Sequence, residues 1–301
     1  MKTPKCYLVA VSFCLTLFTV EAQKPVIVQS ETFTLGENQY DGVVVDIPEV
    51  NIEQVKNEWV KIIEKGTKSS VVEAENGEVS IFGAYIKTIS ENPINIFCQF
   101  VSQDSAVRLR TSVELRRDFY ITESASESEY NQLKEYVHDF AKNEYIIVVK
   151  EDLKRETKKL QDLEDELKSL QSDKARLDRS IQDNENSILT SNDALLILNS
   201  DLELKNQELL SHKEALNKAQ NDLVKADLEE KIGAIEKEKN KILNTIEKEN
   251  KNIARSRSDI EDAQNNIQTN IGQQGSKSAE VESQRSVVIH LESKLATIES
   301  Y

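Results

Sequence analysis

The chain has 301 residues, a formal net charge of −15 and 30% charged residues. This excess of carboxylates disfavours nucleic acid and anionic membranes as partners, because both bind through Lys and Arg. After Tyr145 there is no Phe, Trp, Pro or Cys, whereas a compact core normally uses aromatic side chains as filler. We therefore expect one compact domain followed by a thin helical element.

The first 22 residues have the pattern of an export signal. Lys2 and Lys5 precede a mostly apolar run, residues 7–20, and Val20-Glu21-Ala22 is a plausible cleavage site. The run is too short for a good membrane span, and no second long apolar run follows it. The sequence predicts a periplasmic or extracellular protein without an integral membrane span.

Six short runs between residues 23 and 145 have the composition of β-strands. They are rich in β-branched residues or alternate apolar with polar positions, and polar turns separate them. The runs are residues 26–35, 43–47, 71–72, 79–81, 94–101 and 106–115. Asn76-Gly77, between the third and fourth runs, is the strongest two-residue hairpin signal. Cys98, in the fifth run, is expected to be a buried strand residue.

Two amphipathic helices are predicted beside these strands. The first begins at a possible capping box, Asn51 with Gln54, and ends at Lys65-Gly66. Its apolar residues recur at helical spacing: Ile52, Val55, Trp59 and Ile62. The second begins among the serines of residues 124–128 and has one apolar face: Tyr130, Leu133, Val137 and Phe140. The secondary structure of residues 145–149 is not decided by the sequence, because this β-branched run suits either a continuing helix or a last strand.

The order of these elements is two strands, a helix, four strands and a long helix. It predicts an α+β domain over residues 23–145, with helices on one face of an antiparallel sheet. The run Glu58-Trp59-Val60, then residues 68–72 (Lys-Ser-Ser-Val-Val), then the hairpin and the paired strands, resembles a secreted bacterial domain of unknown function with a TATA-binding-protein-like fold. The resemblance covers about 100 residues. It depends on the order of the elements, and it implies a fold and no activity.

Residues 146–301 are expected to form a coiled coil. Counting by sevens from Leu160 and Leu163 gives the a and d positions of a heptad repeat that extends to residues 223 and 226. Fifteen of these twenty positions are apolar, where the chain-wide 38% would give about 8. A second register begins at Ile232 and Ile235 and extends to residues 295 and 298, with thirteen of twenty positions apolar.

The step between the two registers predicts a chain reversal. From Leu223 to Ile232 it is nine residues rather than seven, which places the second seam on the opposite side of a continuous helix. We therefore expect a hairpin that turns near residues 227–231, with antiparallel arms of equal length. By composition, however, residues 272–275 (Gly-Gln-Gln-Gly) make the better turn. Two alternatives stay open: a helix that changes face near residue 228 and reverses at 272–275, or a parallel homo-oligomeric coil.

A turn at residues 227–231 also predicts which polar residues of the two seams meet. The expected neighbours are Asn184 and Ser191 with Asn270 and Gln274, and Lys205 and His212 with Glu249 and Ser256. Buried polar groups are costly unless they are matched, so these pairs would fix the register of the hairpin.

No catalytic, cofactor-binding or metal-binding residue is predicted. The three histidines, His138, His212 and His290, lack a second ligand or a base at a usable spacing. The sequence also has no Gly-rich phosphate loop and no Gly-x-Ser-x-Gly elbow. An enzyme is therefore not expected.

The basic residues of the compact domain are concentrated in one stretch: Arg108, Arg110, Arg116 and Arg117. An acidic partner or a polyanionic glycan would suit them, although a solvated strand face is the more common situation for such residues.

These observations favour a non-enzymatic structural or interaction protein, in which a head on a coiled-coil stalk spaces, tethers or scaffolds. Its partner is expected to be another protein or a second copy bound through the coiled coil, with no nucleic acid and no cofactor. The alternative is a module for a small apolar ligand, in which the sheet grips the ligand against the helix that carries Trp59.

Overall fold

The computed structural model describes residues 25–74 and 77–301. The predicted export signal, residues 1–22, lies outside the described residues, and so does Asn76 of the predicted hairpin turn. The chain divides into two compact units. The first, here called the head, contains the described residues up to Arg155 together with Ile289–Tyr301; the second, the hairpin unit, is Glu156–Val288.

The head contains a seven-stranded antiparallel sheet. Its strands are β1 (Gln29–Leu35), β2 (Asn38–Pro48), β3 (Val72–Glu73), β4 (Glu78–Ala84), β5 (Ile94–Gln103), β6 (Ala106–Arg116) and β7 (Phe119–Tyr120). Their spatial order is β1-β2-β6-β5-β4-β3, and β7 pairs with β6. All six predicted runs form strands. The sequence pattern did not predict β7, because two residues are too few to show an alternation.

Alternation along the strands divides the sheet into two faces. On β5, Ile96, Cys98 and Phe100 are buried, whereas Phe97 and Gln99 between them are half-buried and belong to the other face. The buried face carries the core of the head. It is covered by α1 (Ile52–Glu64), the first turns of α2 (Glu127–Lys218) and the end of α3 (Asp222–Ser300). This arrangement confirms the predicted α+β fold class.

Helix α1 forms where the sequence predicts it. Asn51 is its N-cap, and its Oδ1 accepts hydrogen bonds from the backbone N–H groups two and three residues further on, at 2.9 and 3.3 Å. Trp59 and Ile63 are fully buried, whereas Ile62 is half-buried. Gly66 follows the helix with a φ of 81°, a left-handed conformation that glycine adopts readily and that ends many helices.

The first turns of α2 carry the predicted apolar face. The helix begins at Glu127, and Leu133 and Val137 are fully buried in the core. Residues 145–149, whose composition suited either a helix or a strand, are helical. Tyr145 and Val149 are buried four residues apart, which is the spacing that keeps both on one helix face. The β-branched composition of this run therefore serves packing inside a helix.

The last turns of α3 belong to the head. Ile298 is fully buried in its core, and Leu295 and Tyr301 pack against the same cluster. Lys294 Nζ lies 2.5 Å from Glu49 Oε1 in the loop that follows β2. Residues that the heptad count assigned to the coiled coil thus complete the head.

In the hairpin unit, α2 and α3 pack against each other as antiparallel arms. The chain turns at residues 219–221, between Lys218 and Asp222. The predicted turn at residues 227–231 is wrong, and so is the alternative at 272–275, because both segments are helical. Asn221 precedes α3 as its N-cap, and its Oδ1 accepts a hydrogen bond from the Leu223 backbone N–H at 2.9 Å. A polar helix cap, without Gly or Pro, makes the reversal.

The predicted turn was wrong because the first register was extended too far. Leu223 fits that register by composition, but it is 82% exposed. The buried positions of α3 instead begin at Lys225 and Leu228, seven residues before the predicted start of the second register, and both are half-buried. Near the end of a helix, an apolar residue at a heptad position can therefore be exposed to solvent.

Away from the turn, both predicted registers are confirmed. Every a and d position from Leu160 to Ala219 on α2, and from Ile232 to Val288 on α3, is buried or half-buried. The seam of the hairpin therefore lies where the heptad count places it.

The predicted polar partners across the seam are wrong, because the turn comes earlier in the chain. Ser191 Oγ donates to Glu249 Oε2 at 2.8 Å. Asn270 Nδ2 donates to the backbone oxygen of Leu170 at 3.0 Å, and Gln274 Nε2 approaches the same oxygen at 3.4 Å. Moving a hairpin turn shifts every residue pair along the arms, so one misplaced turn changes all of the predicted contacts.

Candidate functional site

The histidines are not brought together with other ligands or bases. His212 is half-buried in the seam of the hairpin unit, and His290 is exposed. His138 is half-buried, with Nδ1 3.5 Å from the adjacent Asp139 Oδ1. Among residues 25–74 and 77–301, no group of three His, Cys, Asp or Glu side chains is placed to hold a metal ion.

Cys98 is a buried strand residue, as the sequence predicts. Its Sγ accepts a hydrogen bond from Trp59 Nε1 at 3.1 Å. Burial raises the pKa of the Cys98 thiol to about 12, because a thiolate is poorly solvated in an apolar core. The side chain is therefore a neutral packing group near neutral pH.

The space around Trp59, where an apolar ligand was considered, is filled by aromatic side chains. The Trp59 ring centroid lies 4.8 Å from that of Phe140 and 5.9 Å from that of Tyr136, both in edge-on geometry. On the sheet side, the indole N–H contacts Cys98. Helix α1 thus packs directly on the sheet and on α2.

Two of the four arginines form ion pairs across the outer face of the sheet. Arg108 donates to both carboxylate oxygens of Asp46, at 2.7 and 2.9 Å. Arg110 donates to Glu31 Oε1 at 2.8 Å and to Gln99 Oε1 at 3.0 Å. Both guanidinium groups therefore have hydrogen-bond acceptors on other strands, and these bonds link β6 to β1, β2 and β5.

The other two arginines lie at the β6–β7 turn. The Arg116 guanidinium stacks over the Phe119 ring, 4.6 Å from its centroid. Arg117 is almost fully exposed, and its Nε lies 3.8 Å from Asp118 Oδ2. The basic stretch of the sequence is thus divided among separate local contacts and does not form one anion-binding surface.

The same outer face carries an aromatic cluster that the sequence analysis missed. The Tyr40 ring centroid lies 5.0 Å from that of Phe97 and 5.5 Å from that of Tyr120, and Phe82 lies 5.8 Å from Phe97. Phe82 is 54% exposed. The four rings come from four strands that are distant in sequence. The sequence signal that could have predicted the cluster is the alternation along β5, which places Phe97 on the face opposite the buried residues.

Two surface cavities of the head have mainly polar linings. One, of about 530 Å³, is lined by β1, β2 and the segment before α2, including Thr32, Asp41 and Thr122. The other, of about 640 Å³, is lined at the opposite end of β2 by Gln29, Asp46 and neighbouring residues. Ligand pockets for apolar molecules are mostly apolar, so neither cavity matches the predicted apolar ligand.

Glu144 is a buried carboxylate on the inner side of α2. Its residue is 4% exposed, and its Oε2 has no hydrogen-bond partner. Burial raises the pKa of Glu144 to about 7, with the nearby Glu58 carboxylate acting in the same direction. The group lies between helices rather than in a cleft, and we interpret it as a pH-sensitive element of head stability.

Charged and polar pairs join the arms of the hairpin unit. Gln284 Nε2 donates to the backbone oxygen of Glu156 at 3.0 Å in the interior. Four ion pairs join α2 to α3 in this unit: Lys205 with Glu238 at 2.9 Å, Lys213 with Glu236 at 3.0 Å, Lys277 with Glu166 at 2.8 Å, and Arg285 with Glu164 at 2.7 Å. Hydrogen bonds to Glu208 and Glu238 raise the pKa of Lys205, and hydrogen bonds to Glu166 and Glu280 raise the pKa of Lys277. These contacts all specify one antiparallel register.

Comparison with known proteins assigns no family to the chain. No family model matches it, and no curated protein matches it. The resemblance to the TATA-binding-protein-like domain stays a prediction. No helix in the part of the chain that the structure describes is long and apolar enough to cross a membrane.

Proposed function

We propose that this chain is an exported, non-enzymatic structural or interaction protein, in which the hairpin unit acts as a spacer, tether or scaffold for the head. One observation carries the proposal: the apolar seams of α2 and α3 cover each other within one chain. The arm of residues 156–218 is about 95 Å long at 1.5 Å per residue. A rod of this length suits separation of binding partners better than it suits catalysis.

The packing of the end of α3 supports this proposal. The end of α3 belongs to the head, because Ile298 is buried in its core and Leu295 packs against that core. Lys142 Nζ also donates to the Glu299 backbone oxygen at 3.2 Å, and Lys150 Nζ lies 3.0 Å from Glu299 Oε1. The two helices are thus paired inside the head as well as inside the hairpin unit.

We propose a protein partner, another chain or a second copy, rather than a nucleic acid or a small apolar ligand. The net charge of −15 opposes polyanions. The rings of Tyr136 and Phe140 pack against Trp59, where the alternative hypothesis would place an apolar ligand. Export is proposed from the basic and apolar pattern of residues 1–22.

Sedimentation velocity of the full chain tests the spacer proposal. A protein that contains a 95 Å rod is expected to sediment with a frictional ratio well above that of a sphere of the same mass. The measurement should be repeated in high salt, which weakens the partly exposed ion pairs between the arms but not the apolar contacts of the seam, so the frictional ratio is expected to stay high. The frictional ratio of a compact sphere would contradict the proposal.

A further inference from the structure

A row of apolar side chains lies on the outer side of α2, away from α3. These residues are between 55% and 72% exposed: Leu189, Leu196, Ile197, Leu204 and Leu210. In the confirmed heptad register they occupy b and c positions, which lie on the face of a helix opposite its a and d seam. We call them the outer stripe. They are separate from the seam, and α3 does not cover them.

The outer stripe is confined to one segment of the arm. One to four heptads earlier, the corresponding b and c positions are mostly polar or charged: Gln161, Asp162, Lys168, Ser169, Arg176, Gln182 and Asp183. Residues 180–204 contain no Lys or Arg and five carboxylates: Asp183, Glu185, Asp193, Asp201 and Glu203. A contiguous row of exposed apolar side chains on a helix indicates a contact surface, whereas isolated ones need no explanation.

Four of the five residues of the outer stripe are spaced nearly symmetrically about Ser200, whereas the counterpart of Ile197 is Glu203. Leu196 precedes Ser200 by four residues and Leu204 follows it by four; Leu189 precedes it by eleven and Leu210 follows it by ten. If two copies of α2 cross antiparallel at Ser200, Leu196 of each copy meets Leu204 of the other. A two-fold interface requires this kind of self-complementary surface.

The polar residues of the same face are compatible with that crossing. Asp193 and Gln207 lie seven residues before and after Ser200. Gln207 Nε2 donates one hydrogen to Glu203 Oε1 of its own helix at 3.2 Å, so its second N–H can donate to the Asp193 carboxylate of the other copy. Ser200 lies between the b and c rows, where its small side chain permits close approach of two helix axes. A parallel pairing would instead place Asp193 against Asp193, and like charges repel.

The apolar area is sufficient for a modest dimer. Burial of one Leu or Ile side chain removes on the order of 100 Å² from water. Five such residues from each copy therefore supply on the order of 1,000 Å², close to the lower limit for a specific protein interface.

We propose that the outer stripe is a self-association surface, on which two copies of this chain dock antiparallel through residues 189–210 of α2. Each α2 then lies between its own α3 and the α2 of the other copy. This inference rests on the proposed function, because it names the partner of the scaffold as a second copy and locates the contact on the arm.

Molar mass of the full chain, measured by light scattering across a concentration series, tests the proposal. The wild-type chain is expected to reach the dimer mass at about 100 μM. Leu196→Asp, which places a charge at the crossing, is expected to weaken dimerisation at least tenfold while helical content is retained. The matched control is Ile271→Asp, at an exposed apolar residue on α3 outside the stripe, which should leave the dimer unchanged. A wild-type chain that stays monomeric, or equal loss in the control, overturns the proposal.

Disulfide trapping tests the antiparallel geometry. In a chain with Cys6 and Cys14 replaced by Ser, Ser200→Cys is expected to form a covalent dimer on mild oxidation. Leu210→Cys is not, because an antiparallel crossing at Ser200 separates the two positions by about 30 Å. Equal crosslinking at both sites would indicate a parallel pair and overturn the proposal. Trapping between chains leaves the cis hairpin untested, so failure here is distinguishable from failure of the proposed function.

Discussion

Glu144 makes the stability of the head depend on pH in a defined direction. Burial raises its pKa from 4.5 to about 7, so the folded state binds this proton more tightly than the unfolded state. The stabilisation is fully present below about pH 4.5 and is lost as pH rises through about 7. Most acidic groups with depressed pKa values act in the opposite sense.

Replacing Glu144 with Gln is expected to stabilise the head above pH 7. The variant removes the cost of a buried charge, about 1–2 kcal/mol at pH 8, and gains little at pH 4 where the native carboxyl is neutral. Urea unfolding followed by the fluorescence of Trp59, the only tryptophan, measures this difference. Glu135→Gln, at an exposed position of the same helix, is the control and should shift stability equally little at both pH values.

Cys98 and Trp59 illustrate how far single residues could be predicted. The apolar run around Cys98 correctly predicted a buried strand residue, because alternation gives the face directly. Its contact with Trp59 was not predictable, since the two residues belong to elements whose packing depends on the whole sheet order. The outer aromatic cluster was missed for the same reason.

At the scale of elements, the last turn of α3 is expected to be essential to the head. Ile298 is fully buried in the head core, so Ile298→Ala should lower the free energy of unfolding of the head by about 2–5 kcal/mol. Ile289→Ala, at an exposed position of the same segment, should change it by less than about 0.5 kcal/mol. Urea unfolding monitored by Trp59 fluorescence separates the two. An equal effect of both variants would contradict this placement of Ile298.

The two arms of the hairpin unit should tolerate shortening when it is matched. Removing residues 174–187 and 257–270 together deletes two heptads from each arm and keeps both seams in phase, shortening the rod by about 21 Å. We expect cooperative thermal unfolding and a smaller frictional ratio. Removing residues 174–187 alone leaves two heptads of α3 without a partner, and we expect a lower melting temperature. Equal melting temperatures for the two deletions would argue against pairing of the arms.

Heptad counting gave the seam but not the turn, and the reason is physical. The apolar pattern of a seam is repeated at many a and d positions, so it can be recognised even when a few of them are polar. The position of a turn between long helices depends on only a few residues, and here one of them is the N-cap residue Asn221. Leu223 occupies an a position of the first register although it is exposed. The glycines of residues 272–275 are inside α3, where a glycine destabilises the helix by about 1 kcal/mol without breaking it.

At the scale of the molecule, the central claim is a chain whose coiled coil closes on itself. Polar contacts fix its register, because Gln274 reaches the Leu170 backbone oxygen at 3.4 Å and Ser191 bonds to Glu249. The claim excludes a parallel coil formed only between chains. Self-association on the outer stripe, where it occurs, is additional to the hairpin.

Crosslinking within one chain tests this claim most directly. In the full chain with Cys6 and Cys14 replaced by Ser, Leu170→Cys with Gln274→Cys is expected to be bridged by a short bis-maleimide at monomer mass. Buried Cys98, whose pKa is raised to about 12, should not react while the head is folded. Leu177→Cys with Val281→Cys would be opposite each other for a turn at 227–231; in this structure they are about 20 Å apart along the arms and should not be bridged. Bridging of the second pair instead of the first would contradict the turn at residues 219–221.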